Sequence, residues 1–231
     1  MKVIKDKDTK KLDGIAIEII EKAYSEVLSR KRSFVMGIPG GRAVQGIFKR
    51  LGYNSKIGWK DTHIFMVDER LVGPEGKESN ISLAKELFID KLLRQKKIDP
   101  ENIHPFSYSK DDIKKGLSDY KEQLKRLGSK YDLMILSSGE DSHIASLFPG
   151  HSSIVDDSPD YIWMDDSPKP PPARISVSRK MLLRSGYCII LFYGDSKTEA
   201  FKRYMDKGND VYDCPAKLAQ GIRNSYALVS S

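Results

Sequence analysis

Apolar residues along the chain switch repeatedly between a step of three or four and short continuous runs. Leu12, Ile15, Ile19, Ala23 and Val27 step along one face of a helix, and Ser33–Ile38 follows as a short buried strand. Val44, Ile47, Phe48 and Leu51 mark a second helix, and Thr62–Val67 a second strand. A helix opens at Asn80, with Leu83, Leu87 and Leu92 on one side; Ile113, Leu117, Tyr120, Leu124 and Leu127 give a further helix with near-ideal spacing. Leu133–Leu136 and Tyr187–Tyr193 are buried strands, the latter the strongest in the chain. Ala200, Phe201 and Tyr204 open a helix after it, and Tyr226–Val229 reads as a last short strand. Strands alternating with helices of this length predict an α/β fold with a mostly parallel central sheet and helices on both faces. Ser167–Ala173, reading SPKPPPA, is a rigid extended spacer, because its prolines forbid both helix and central strand. No repeat or linker divides the chain, so residues 1–231 are expected to form a single domain.

Composition narrows the classes. Of 231 residues 39% are hydrophobic, enough for a sizeable core. The apolar runs are strand-length, too short to span a bilayer, and charges interrupt the N-terminus from the start, so neither a membrane span nor a signal peptide is expected. Cys188 and Cys214 lack metal-ligand spacing and read as structural cysteines of a reducing, cytoplasmic compartment. The net charge of +7 raises the question of nucleic acid, but 39 basic residues are interleaved with 32 acidic ones rather than gathered into a stripe. A solvated lysine-rich surface is the expectation, with no nucleic-acid partner; its positive field suits a phosphorylated substrate.

In an open parallel sheet, ligands bind at the carboxyl ends of the strands, so the residues just after each strand carry the chemistry. Four such turns stand out. Gly40 and Gly41, with Arg42, follow the first strand; glycines there allow close backbone approach, and the guanidinium fork suits phosphate. Asp68-Glu69-Arg70 follows the second, with Ser79-Asn80 downstream as a helix N-cap; three consecutive charges there are expected outside the core. Spacing leaves open whether they form a solvated loop or an anion grip. After Leu133–Leu136 comes Ser137–His143, where His143 stands two residues from Asp141 in a glycine-containing turn, the composition of a general base. On spacing alone a surface histidine at a helix start is the stronger explanation. His63, His104 and His151 lie in contexts that suggest nothing comparable. After Tyr187–Tyr193 comes Gly194-Asp195-Ser196-Lys197. Asp195 or Ser196 is a cap candidate, and Lys197 in the first helical turn opposes the helix dipole, which favours an anionic ligand.

Together and in this order, these turns resemble the 6-phosphogluconolactonase family, of the group that includes glucosamine-6-phosphate deaminase and ribose-5-phosphate isomerase. The strongest match is YDLMILSSGEDSHIASLFPGH, Tyr131–His151. VDERLV with Ser79-Asn80, SPKPPPARISVS, GDSKTEAF and PGGRAV match the family's other motifs, so the likeness runs from about Gly37 to Pro215. Three departures matter. Arg42 and Ala43 replace hydroxyl residues of the first loop. Ser142 stands where the family has Gly, so a positive φ there implies strain. Ser137 and Ile144 also differ from the commonest residues.

The resemblance implies a Rossmann-like fold of the sugar-phosphate isomerase/deaminase/lactonase type, and hydrolysis of 6-phosphogluconolactone in the oxidative pentose phosphate pathway. It implies His143 as general base with Asp141 supporting it, and Arg42, Arg70, Lys197 and the Gly40–Gly41 backbone as phosphate anchor. Asp68 and Asn80 are then expected to position sugar hydroxyls, and Arg174 either faces substrate or anchors its loop. No metal or other cofactor is expected, and the molecule is expected to be a monomer or small homo-oligomer. The nearest alternative is a deaminase or isomerase. Deaminases of the group carry His-x-Ala-Phe-Asn-Glu-Pro-Gly, and here Phe148 occupies the Glu position while Arg70 stands where they have Tyr. A non-catalytic sugar-phosphate sensor is a more distant alternative, for the residues before the first strand read as one helix packing on the sheet rather than a DNA-binding module.

Overall fold

The computed structural model describes residues 1–73, 76, 78–108 and 112–230. In chain order the elements are β1 (Lys2–Lys5), α1 (Thr9–Leu28), β2 (Phe34–Ile38), α2 (Gln45–Asn54), β3 (Thr62–Met66), β4 (Asp68–Arg70) and α3 (Asn80–Ala84). Then follow α4 (Asp90–Arg94), β5 (Ile103–His104), α5 (Ile113–Lys125), β6 (Leu133–Ser137), α6 (Ser152–Val155) and β7 (Tyr161–Met164). The chain ends with β8 (Arg174–Val177), α7 (Arg179–Leu183), β9 (Tyr187–Tyr193), α8 (Thr198–Met205) and β10 (Asn224–Ser230). A π-helical turn, Lys85–Ile89, joins α3 to α4, so the helix expected from Asn80 is present but interrupted. None of the helices in the described residues is long and apolar enough to cross a membrane.

Seven strands form one sheet in the order β1-β10-β9-β6-β2-β3-β5, every pair parallel. Successive residues of each inner strand face opposite sides. Met36, Leu133 and Ile189 pack under α1 and α2, while Val35, Met134 and Ile190 pack against α5, α7 and α8. Burial on both faces is why these strands read as unbroken apolar runs. The direction of progression reverses between β2, which continues to β3 and β5, and β6, which continues to β9 and β10. A crevice therefore opens at the carboxyl ends of β2 and β6.

A second, antiparallel sheet, β4-β8-β7, caps that crevice, and periodicity gave no sign of it. Val67 joins the two sheets. Its N–H donates to the Ile38 carbonyl at 2.9 Å, and its carbonyl accepts from Val177 N–H at 2.8 Å. Beyond it the chain bends, and Asp68–Arg70 becomes a strand rather than the turn expected. Glu69 also departs from the expectation that this charged triplet lies outside the core, for it is 3% exposed. Its carboxylate accepts from the N–H groups of Asn80 (2.7 Å), Ile81 (2.9 Å) and Arg70 (2.8 Å), and from the Ser79 hydroxyl (3.3 Å). Burial drives the Glu69 carboxyl above its ordinary range despite these donors. The residue ties β4 to the start of α3, where the Ser79 side chain is the N-cap.

Candidate functional site

A cavity of about 550 Å³ lies at the carboxyl ends of β2, β3, β6 and β9. Gly40, Gly41, Arg42, Asp68, Arg70, Asn80, His143, Arg174 and Lys197 all line it, and Asp141 stands directly behind His143. Parallel strands make this convergence: each delivers its following turn to the same edge of the sheet.

The turn after β2 brings backbone close to the cavity. Gly40 packs against the Asn80 side chain so tightly that any Cβ would overlap it. Gly41 has φ +93°, a conformation open to glycine. Arg42 extends into solvent at the rim, and α2 begins three residues later with no side chain capping its first turn. Opposite, the Asn80 amide donates to the Asp68 carbonyl at 2.9 Å, and Asp68 Oδ2 accepts from the Ser146 hydroxyl at 2.9 Å. Arg70 donates through Nη1 to the Glu78 carbonyl at 2.6 Å, while its buried Nε has no partner.

The turn after β6 is closed by two backbone bonds: Gly139 N–H to the His143 carbonyl (2.8 Å) and Ser142 N–H to the Gly139 carbonyl (3.1 Å). The His143 ring lies over Gly139, whose lack of a side chain makes the space, and against Phe148 with ring centroids 4.8 Å apart. Asp141 Oδ1 meets His143 Nδ1 at 2.5 Å. A carboxylate only accepts, so Nδ1 carries the ring proton and Nε2 keeps its lone pair. Asp141 Oδ2 pairs with Lys169 Nζ at 2.9 Å. Burial alone would raise the Asp141 carboxyl, but His143 and Lys169 outweigh it and hold it well below the usual carboxylate range. Asp141 thus stays ionised across the neutral range.

Ser142 has φ +74°, the left-handed conformation anticipated for a glycine, and its buried hydroxyl has no partner. Replacing Ser142 with Gly should relieve both costs, with a net gain of about 1 kcal/mol once glycine's greater chain entropy is charged against it. A rise in Tm of about 2–4 °C is expected, and a lower Tm in a thermal melt would contradict it.

Lys197 ends a single 3-10 turn, Asp195–Lys197, immediately before α8 rather than within its first turn. Neither Asp195 nor Ser196 makes the cap expected from sequence. Burial lowers the Lys197 ammonium, and the nearby charges of Lys169 and Arg42 press the same way against Glu140 and Asp141. Arg174 is 4% exposed and chiefly a clamp on the proline-rich loop. Its Nε donates to the Pro171 carbonyl (3.0 Å) and its Nη2 to the carbonyls of Lys169 and Pro170 (3.1 Å each). That clamp sets Lys169 into the cavity wall. Lys169 is the site residue that spacing missed; its only sequence signal was its place in a rigid segment. Glu140, Tyr193 and Ser196 also line the wall unanticipated.

The other histidines lie outside the cavity: His63 Nδ1 meets His104 Nε2 at 3.0 Å, and His151 Nδ1 accepts from Ser153 N–H at 3.1 Å. Among the described residues, no three His, Cys, Asp or Glu side chains are grouped to hold a metal ion. The arrangement offers a base with an oriented lone pair facing a cluster of cations, which suits proton transfer on a molecule held by an anionic group.

A family model described as glucosamine-6-phosphate isomerases/6-phosphogluconolactonase matches residues 7–227. The 6-phosphogluconolactonase of Borreliella burgdorferi is 32% identical over 195 residues, covering 84% of this chain and 83% of that protein. The crystal structure of 6-phosphogluconolactonase from Thermotoga maritima superposes with a TM-score of 0.81 at 23% identity, covering 99% of this chain and 98% of that one. A monomeric glucosamine-6-phosphate deaminase superposes equally well, with a TM-score of 0.81 at 20% identity over 99% of this chain and 97% of its own. At such identities the structural likenesses establish the shared fold and do not separate the two chemistries.

Proposed function

Since the chain belongs to the glucosamine-6-phosphate isomerase/6-phosphogluconolactonase family, we propose that it hydrolyses 6-phosphogluconolactone to 6-phosphogluconate, a step of the oxidative pentose phosphate pathway. The observation that carries this reading over deamination is Phe148. It is 1% exposed and packed on His143, filling with a phenyl ring the position from which a deaminase would present a proton-shuttling carboxylate.

In the proposed reaction His143 Nε2 takes a proton from water as the water oxygen bonds to the lactone carbonyl carbon. The tetrahedral intermediate collapses by breaking the bond to the ring oxygen. Nε2 returns its proton to that oxygen, leaving a hydroxyl and a carboxylic acid that ionises. Asp141 steadies the imidazolium formed between the two transfers, and Lys169 keeps Asp141 in place. The phosphate does not react. Arg42, Arg70, Lys197 and the Gly40–Gly41 backbone hold it, and that binding energy orients the carbonyl. Asp68 and Asn80 face the sugar hydroxyls. Cys188 and Cys214 are free and buried, which supports assignment to the cytoplasm.

Loss of Lys197 removes a charge-assisted contact made equally in ground and transition states. Lys197→Ala should therefore raise KM about tenfold or more with kcat little changed; an unchanged KM would argue against the contact. The deciding assay measures 6-phosphogluconolactone hydrolysis beside glucosamine-6-phosphate deamination, with spontaneous lactone opening subtracted. Deamination without lactone hydrolysis would overturn the proposal.

A further inference from the structure

At the opposite pole of the sheet, where β2, β6, β9 and β10 begin, lies a second cavity of about 620 Å³, larger than the catalytic one. Arg30, Lys31, Lys130 and Arg223 border it, together with the carboxylates of Glu26 and Asp132. Both carboxylates are already engaged. Asp132 Oδ2 accepts from Val35 N–H at 2.7 Å and pairs with Lys31 at 2.6 Å, and Glu26 accepts from the Tyr187 hydroxyl. Among the described residues, Arg30, Lys130 and Arg223 form no ion pair.

The negative end of α1 accounts for Arg30 and Lys31, which follow it directly. It does not account for Lys130 and Arg223, which arrive on separate turns ahead of β6 and β10. Three chain segments thus carry four cations into one concavity that holds two carboxylates, an excess of positive charge that repels itself until an anion enters. A second observation points the same way. Ser185 stands in the wall, 5% exposed, and its buried Oγ has no hydrogen-bond partner. A volume of this size accommodates a small metabolite rather than a single ion.

We propose that this cavity is a second anion site, distinct from the catalytic cavity, that takes a small molecule carrying two or more phosphate charges. The two arginines supply planar forks that match phosphate oxygens, and Lys130 adds a point charge. The site stands independently of the reaction assigned above.

Calorimetric titration at low salt tests it, with inorganic pyrophosphate and ATP as probes. The protein carries Arg42→Ala and Lys197→Ala, so that the catalytic cavity contributes little. One binding event should persist in that background, weaken with added salt, and fall at least tenfold when Arg30→Ala, Lys130→Ala and Arg223→Ala are added. These three side chains are exposed, so their replacement in an otherwise native chain should leave the melting curve and lactone hydrolysis unchanged. Arg223→Glu alone should give a comparable loss of binding. Tighter binding of ATP than of pyrophosphate assigns a nucleotide to the site, and equal binding assigns the phosphate groups alone. No binding of either probe in the Arg42→Ala/Lys197→Ala background, or binding indifferent to the three substitutions, would overturn the proposal.

Discussion

Replacing His143 with alanine is expected to lower kcat for 6-phosphogluconolactone by about 10²–10⁴-fold, the usual worth of a general base, with KM little altered. In the proposed mechanism the two parameters part because the imidazole activates the attacking water, whereas cations in the turns after neighbouring strands bind the phosphate. The fold should survive. Among the described residues the only side-chain hydrogen bond of the His143 ring is to Asp141, and Asp141 keeps Lys169 as a partner. Stopped assays corrected for spontaneous opening, alongside a thermal melt, make the measurement. Turnover near the native rate in a folded variant would remove His143 from the mechanism. Because Asp141 is held ionised well below the usual range, it should not titrate over the working pH range. Protonation of Asp141 should therefore contribute nothing to the acidic limb of the native kcat profile.

The second large effect is expected from a single methyl group. A Cβ at Gly139 would overlap the His143 ring and crowd the Asp141 carboxylate. Its φ is not in the left-handed region, so Gly139→Ala meets no backbone objection and acts only by displacing the pair. A shift of about 1 Å in a catalytic group costs about 10²-fold. A fall of that order in kcat is expected while calorimetric binding of 6-phosphogluconate persists. Unchanged kcat would show that the position of the His143 ring over Gly139 is immaterial; lost binding would mean that the damage reaches the phosphate grip.

Five of the seven central strands were legible because they are buried on both faces and their helices on one, patterns that a linear sequence records directly; β1, ahead of the strand read as first, and the two-residue β5 are partly exposed edge strands and were not. β4 and β8 were not legible by pattern. Asp68-Glu69-Arg70 looks like a loop, and what makes it a strand is pairing with Arg174–Ser176 far along the chain, for which no local signal exists. The same distance hid the burial of Glu69, whose donors come from Asn80 and Ile81. The gathering of site residues was readable in outline, since parallel topology sends every turn after a strand to one edge. Ser142 was flagged by its departure from glycine, and its positive φ follows from the tight Gly139–His143 closure. Lys169 escaped because its role depends on Arg174 folding a proline-rich segment back over the crevice. The two readings of Arg174 were left even by sequence; its hydrogen bonds make it the anchor of that loop, though it also touches the cavity.

The strand order β9-β6-β2 puts the turn bearing His143 between the turns bearing Lys197 and Arg42. Neighbouring strands in any sheet are about 4.8 Å apart, and the β6–β9 ladder holds that interval as far as Ser137, whereas β2 and β6 pair only at Met36–Leu133 and Gly37–Met134. The sheet is therefore a gauge, graduated in strands, against which the span from reacting carbon to anionic tail is measured. Under the proposed assignment, a lactone one carbon shorter is expected to fit one mark less well and to turn over more slowly. Changes in the loops would then alter how firmly a molecule is gripped, and the β6–β9 interval would bear on its length.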